Sequence, residues 1–77
     1  MLKGLTITVE HVTETAHGPD LLYRVDRDSE TIGRIESESG KHGRMCVAWK
    51  AEPNGDIFRI GIRSTVEQCL VLLAEQK

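Results

Sequence analysis

Five segments of the chain alternate apolar and polar residues one by one, and a sixth repeats its apolar residues at helical spacing. Leu5-Thr6-Ile7-Thr8-Val9-Glu10 is strictly apolar then polar, and a period of two sends successive side chains to opposite faces of a strand. Leu21, Tyr23 and Val25 alternate with Leu22, Arg24 and Asp26 in a second segment, and Thr31 to Glu36 forms a third. Gly33 interrupts that third strand and marks a bulge or a close backbone approach. Met45, Val47, Trp49 and Ala51 alternate with Arg44, Cys46, Ala48 and Lys50, and Phe58, Ile60 and Ile62 alternate with Arg59, Gly61 and Arg63. Alternation in every strand predicts an antiparallel sheet with one buried face.

The connections carry turn chemistry. Thr13 to Asp20 reads as turn material around Gly18-Pro19-Asp20, Asp28-Ser29-Glu30 as a tight reversal, and Ser37 to Gly43 as a polar loop. Glu52-Pro53-Asn54-Gly55-Asp56 is the strongest turn signal, because Pro presets φ and Asn-Gly supplies the positive φ that a hairpin needs. Ser64-Thr65-Val66-Glu67 has the S-x-x-E form of a capping box, with Ser64 as N-cap and Glu67 closing it. A helix from Thr65 to about Gln76 then presents Val66, Cys69, Leu70 and Leu73 on one stripe.

The order βββββα predicts an α+β fold, an antiparallel sheet of about five strands with one C-terminal helix packed on one face. The helix stripe is expected to pack on Val47, Trp49, Phe58, Ile60 and Ile62. The 77 residues allow one domain, spanning 1–77, and with 39% hydrophobic residues its core is thin.

Most chemistries lack their residues. The sequence contains no G-x-S-x-G, no H-E-x-x-H and no Gly-rich phosphate loop. His11, His17 and His42 fall on a strand end and in two loops, the pattern of ordinary exposed histidines. His42-x-x-x-Cys46 has metal-like spacing without the second pair that zinc wants. Asp26 with Asp28, and Glu36 with Glu38, read as solubilising charges. The expectation is no catalytic residue, no metal and no cofactor. Cys46 and Cys69 are too few for a disulfide framework and read as free thiols of a reducing compartment, the cytoplasm. The longest uncharged run, Gln68 to Ala74, is too short to cross a bilayer, and MLKGLTITVEH lacks the apolar stretch of an export signal.

Charge is the remaining signal. The net charge is −2, so the whole molecule is no general polyanion binder. Residues 1–40 carry eight acids against four bases, whereas residues 41–63 carry five bases against two acids. By strand parity Arg44 and Lys50 point away from Met45, Val47 and Trp49, while Arg59 and Arg63 point away from Phe58, Ile60 and Ile62. Across the Pro53-Asn54-Gly55 hairpin these four would share one exposed face. Such a face is either solvated or a contact for an anionic partner, a protein surface or nucleic-acid phosphates.

Residues Val12 to Arg34, with VTETAHGPD, then YRVDRD, then the pair Gly33-Arg34, resemble the N-terminal strands of small phage-encoded anti-CRISPR proteins. The second half, W-x-A-x-x-N-G followed by a strand and S-T-x-E opening a helix, is similar to antitoxins of the HicB kind and to the arm-binding domains of phage integrases. The anti-CRISPR resemblance implies a non-catalytic phage or mobile-element protein that inhibits a host complex by protein–protein contact. No functional residue carries over from it. The reading that results is a small cytoplasmic interaction module with a protein partner, with Arg44, Lys50, Arg59 and Arg63 as its partner-binding residues. The alternative is a nucleic-acid-binding domain using the same basic face. A third reading is a homodimer whose exposed strand edges pair across a two-fold axis.

Overall fold

A computed structural model describes residues 3–76. Strands β1 (Leu5–Thr15), β2 (Gly18–Arg27), β3 (Glu30–Gly40), β4 (Gly43–Ala51) and β5 (Ile57–Arg63) form one antiparallel sheet in the order β1-β2-β3-β4-β5, followed by helix α1 (Val66–Ala74). This is the expected βββββα, α+β arrangement.

The strands run further than alternation alone indicates. Thr13 pairs with Asp20 and Thr15 with Gly18, and Ser39 pairs with Arg44 and Gly40 with Gly43. The segments expected as turn and loop are therefore ladder, and their hairpins close through two residues, Ala16-His17 and Lys41-His42. Polar side chains hid them, because the ladder needs backbone groups and not apolar residues. At the β2–β3 reversal Asp28 and Ser29 both adopt positive φ, 50° and 70°, the pair of values that matches the twist of a two-residue hairpin. The β4–β5 turn closes as its sequence indicates, with the Gly55 N–H donating to the Glu52 carbonyl at 3.0 Å.

Helix α1 lies over β3, β4 and β5, and the core between the layers is Val25, Ile35, Cys46, Ala48, Cys69 and Leu73. Val66 and Leu70 pack against that core, so the predicted helix stripe holds. The sheet side of the interface is a correction. Cys46 and Ala48, not Val47 and Trp49, lie under the helix, and of the five sheet residues expected there only Ile60 packs on this core. Val47 is buried but has the opposite parity, Ile62 pairs with it there, and Phe58 is 52% exposed. The cause is visible in β4: Met45-Cys46-Val47-Ala48-Trp49 is apolar in both parities, so periodicity could not choose between its faces.

Residue size chose instead. Where α1 crosses the sheet, Gly33, Ala48 and Gly61 let it approach. A β-carbon on Gly33 would lie 2.6 Å from Leu73 Cδ2 and inside the surface of the Trp49 carbonyl oxygen, and one on Gly61 would lie 2.7 Å from Leu72 Cδ1. Gly33 is thus a close approach, as its sequence position indicates, and it adjoins the register shift opposite Val25 and Asp26.

The helix start is displaced by one residue from the expected one. Thr65, not Ser64, is the N-cap: its Oγ1 accepts from the Gln68 N–H at 3.1 Å, and Gln68 Oε1 accepts from the Thr65 N–H at 3.3 Å. Gln serves at this position as Glu does, so S-x-x-E and T-x-x-Q compete in the same five residues. The other end of α1 carries no basic residue of its own. Arg27, from β2, donates to the Ala74 carbonyl at 3.2 Å and sets a cation against the negative end of the helix.

Candidate functional site

With α1 on one side, no second layer among the described residues covers the other face of the sheet. Its centre is apolar. Trp49, Val47 and Met45 of β4 share this parity with Ile62 and Ile57 of β5 and with Leu22 of β2. Met45, Ile57 and Ile62 are each 44–53% exposed, while Trp49 is half-buried. Leu22, Trp49 and Ile57, with Arg34 and Glu36, line a depression of about 230 Å³.

Trp49 is positioned by β3. Its Nε1–H donates to the Glu36 carboxylate on the neighbouring strand, which fixes the indole's orientation and satisfies its one polar atom. A ring held this way presents an apolar body without an orphaned N–H. Sequence parity had placed Trp49 against the helix; it lies on the opposite face, and the residues around it were missed for the same reason. The small residues Gly33, Ala48 and Gly61, alike in facing the helix, are the sequence signal that could have found them.

Charged side chains frame the apolar centre, and most are paired with one another. A register shift in β1 between Val9 and His11 lets Glu10 reach across β2. Its carboxylate meets Arg34 Nε at 2.8 Å and Arg24 Nη1 at 3.7 Å, while Arg24 Nε also meets Asp26 at 3.1 Å. The hydrogen bond from Arg34 holds the Glu10 carboxyl below its ordinary range, against a smaller opposing contribution from burial. Thr31 Oγ1 donates to the other Asp26 oxygen at 2.8 Å. This network orders the β1–β3 half of the face and consumes the charge of two arginines.

The four basic residues picked out in the sequence do not share a face. Arg59 pairs in register with Trp49 and belongs to the helix-free side, whereas Lys50 and Arg63 pair with Phe58 and Cys46 on the helix side. Arg44 also lies on the helix side. Its guanidinium donates to Ser37 Oγ at 2.7 Å and Ser39 Oγ at 2.6 Å, and Ser37 is itself buried beside Cys46. Lys50 Nζ sits 3.3 Å from Glu52 Oε1, and Arg63 donates to the Ile62 carbonyl at 2.8 Å. The expected cluster fails because inverting the parity of β4 moves Arg44 and Lys50 to the other side. The register shift between Ala48 and Trp49 then separates Arg59 from Arg63.

A wider cleft of about 870 Å³ opens at the end of the sheet between the β2–β3 and β4–β5 turns, with Arg27, Glu30, Lys50 and Glu52 on its walls. Its cations already have partners, Arg27 the Ala74 carbonyl and Lys50 the Glu52 carboxylate. Among the described residues no group of three or more His, Cys, Asp and Glu side chains is placed to hold a metal. Cys46 and Cys69 are free thiols within one core, and burial pushes the Cys69 thiol above its usual pKa. Among the described residues no helix is long and apolar enough to cross a membrane. Comparison with protein-family models, with curated proteins and with solved structures returns no match.

Proposed function

We propose that this chain is a non-catalytic binding module that engages a protein partner through the helix-free face of its sheet, with Trp49 at the centre. In this reading it acts as the resemblance of residues 12–34 implies, as an anti-CRISPR-like phage or mobile-element protein that inhibits a host complex by contact in the cytoplasm. The supporting observation is the makeup of that face. An apolar row of Leu22, Trp49, Met45, Ile57 and Ile62 lies uncovered, inside a frame of Arg24, Arg34, Arg59 and Glu36. Trp, Met and Arg are the residue types enriched at protein interfaces, and Trp and Arg dominate their binding energy. The nucleic-acid alternative draws less support from the geometry, since Arg24 and Arg34 are bound to carboxylates and the four-residue basic face is divided.

The test compares variants of the two faces. Met45→Glu/Ile62→Glu charges two exposed positions of the helix-free face, and Phe58→Ser alters an exposed position of the helix side. Wild type and both variants are immobilised and exposed to extract of the host cell, with retained proteins quantified by mass spectrometry. A partner kept by wild type and by Phe58→Ser, and lost from Met45→Glu/Ile62→Glu, is the expected result. Fluorescence anisotropy with single- and double-stranded DNA tests the alternative. Binding at physiological salt, with a log K against log salt slope of about −3 to −4, would overturn the protein-partner reading.

A further inference from the structure

Strand β1 is the outer strand of the sheet, paired on one side only, with β2. It is eleven residues long, contains no proline, and among the described residues no strand pairs with the backbone groups along its outer edge. Proteins guard such edges with short strands, prolines, outward charges, covering elements, or bulges and inward-drawn charges. β1 has only the last pair, both at Glu10, where the register shifts and Arg34 and Arg24 draw the carboxylate over the sheet; Leu5 to Val9 before it are regular and carry no charge. The helix, seated over β3, β4 and β5, leaves the helix-side row of β1 uncovered: Ile7, Val9 and Val12 are 39%, 50% and 49% exposed.

The pattern along β1 is complementary to itself. Leu5, Ile7 and Val9 alternate onto the helix side. The register shift at Glu10 then returns Val12 and Glu14 to that same side, since Val12 pairs with Leu21 as Val9 pairs with Tyr23. Counting Glu10 and His11 as one ladder position, an antiparallel pairing of two β1 strands about Thr8 sets Ile7 opposite Val9 and Leu5 opposite Val12. It also brings the end carrying Glu14 to the end carrying Lys3. Directly opposed β-branched and aliphatic side chains stabilise a sheet, and opposite charges at the ends favour the same register. The other outer strand offers no such match: β5 has seven residues and two cations in Arg59 and Arg63.

We infer that the occupant of this edge is a second copy of the chain, joined by β1–β1 pairing about a two-fold axis through Thr8. The product is a continuous ten-stranded sheet with both helices on one side, and it leaves the Trp49 face open in each copy. The contact is one strand and one side-chain row per copy, smaller than the roughly 800 Å² per partner of a standard interface. A contact of this size belongs with weak, transient interfaces, so the dimer is expected to form only at high protein concentration.

Sedimentation velocity between about 1 and 500 µM reads the monomer–dimer equilibrium directly. Wild type is expected to pass from monomer to dimer across that range. Ile7→Lys/Val9→Lys sets like charges opposite one another and is expected to remain monomeric throughout. Ile7→Lys/Val9→Glu sets opposite charges in the same register, and is expected to dimerise within about tenfold of wild type. Both positions are substantially exposed in the monomer, and circular dichroism confirms that the variants fold. For the register, Thr8→Cys is expected to form an intermolecular disulfide under copper-catalysed air oxidation well ahead of Thr13→Cys; the native thiols are buried and do not compete. A wild type that stays monomeric at 500 µM, a Lys/Glu variant no better than the Lys/Lys variant, or equal cross-linking at both cysteine positions overturns the inference.

Discussion

Adding a single methyl group at Gly33 tests the face assignment on which the site depends. In Gly33→Ala the new β-carbon would lie 2.6 Å from Leu73 Cδ2 and overlap the Trp49 carbonyl oxygen. Leu73 is 1% exposed and cannot swing away into solvent, and a β-sheet carbonyl moves only with its strand. Gly→Ala ordinarily favours folding by about 0.5–1 kcal/mol through the unfolded chain, but overpacking of a close contact costs roughly 1–3 kcal/mol or more. The overlap involves both backbone and a locked side chain, so its cost sits near 3 kcal/mol, and after the opposing gain a net loss of about 2 kcal/mol remains out of the roughly 4–12 kcal/mol available to 77 residues. With a urea m-value of about 1 kcal/mol/M for so small a chain, the denaturation midpoint should fall by about 2 M.

Gly40→Ala is the control, since its β-carbon would come no closer than 3.6 Å to any atom, the Gly43 carbonyl oxygen; its midpoint should be unchanged or slightly raised. Combining Gly33→Ala with Leu73→Ala removes the side-chain overlap and leaves the carbonyl overlap, so the double variant should lose less than the sum of the two single losses. An unchanged midpoint for Gly33→Ala would show that α1 is not seated over Gly33. The placement of Trp49 on the helix-free face would fall with it.

Two further predictions concern the helix start and the charged network. Thr65→Ala should cost on the order of 1 kcal/mol, since it removes the side chain that caps the Gln68 N–H, whereas Ser64→Ala should stay within about 0.5 kcal/mol; the reverse ranking in urea melts would return the N-cap to Ser64. Glu10 has a folded-state pKa held below its ordinary value of 4.5, chiefly by the Arg34 hydrogen bond, so the unfolded chain binds its proton more readily. Its contribution is present above pH 4.5 and is lost as pH falls through the folded-state pKa. Thermal melts from pH 6 to pH 3 should therefore show a shallower acid loss in Glu10→Gln than in wild type, and superimposable slopes would refute the pairing.

Much of this architecture is local and was legible in the residues. A period of two in five segments, Asn54-Gly55 at a turn and an apolar stripe after a capping sequence report on strands, reversals and a helix, because each reflects how neighbouring residues along the chain meet solvent or one another. Gly33 announced a close approach for the same reason. The extra ladder at Thr13–Thr15 and Ser37–Gly40 was not legible, since backbone pairing there needs a partner strand and no particular side chain. Nor was the choice between Ser64 and Thr65, where two caps of nearly equal quality overlap and the packing of Val66 and Cys69 settles the phase.

The candidate site depended on one decision that only the tertiary structure makes. Met45 to Trp49 is apolar on both sides of its strand, so either parity buries hydrophobic surface at comparable gain. What breaks the tie is close packing: a helix carrying Cys69, Leu72 and Leu73 approaches closely only where the sheet offers Gly33, Ala48 and Gly61. That choice turns Trp49, Met45 and Ile62 outward, and the register shifts in β1 and β5 then gather Glu10 with Arg34 and part Arg59 from Arg63. Alternation along the chain determines that there are two faces. Which of them the helix covers, and so which is left to meet a partner, is set by the volume of side chains on strands far apart in sequence.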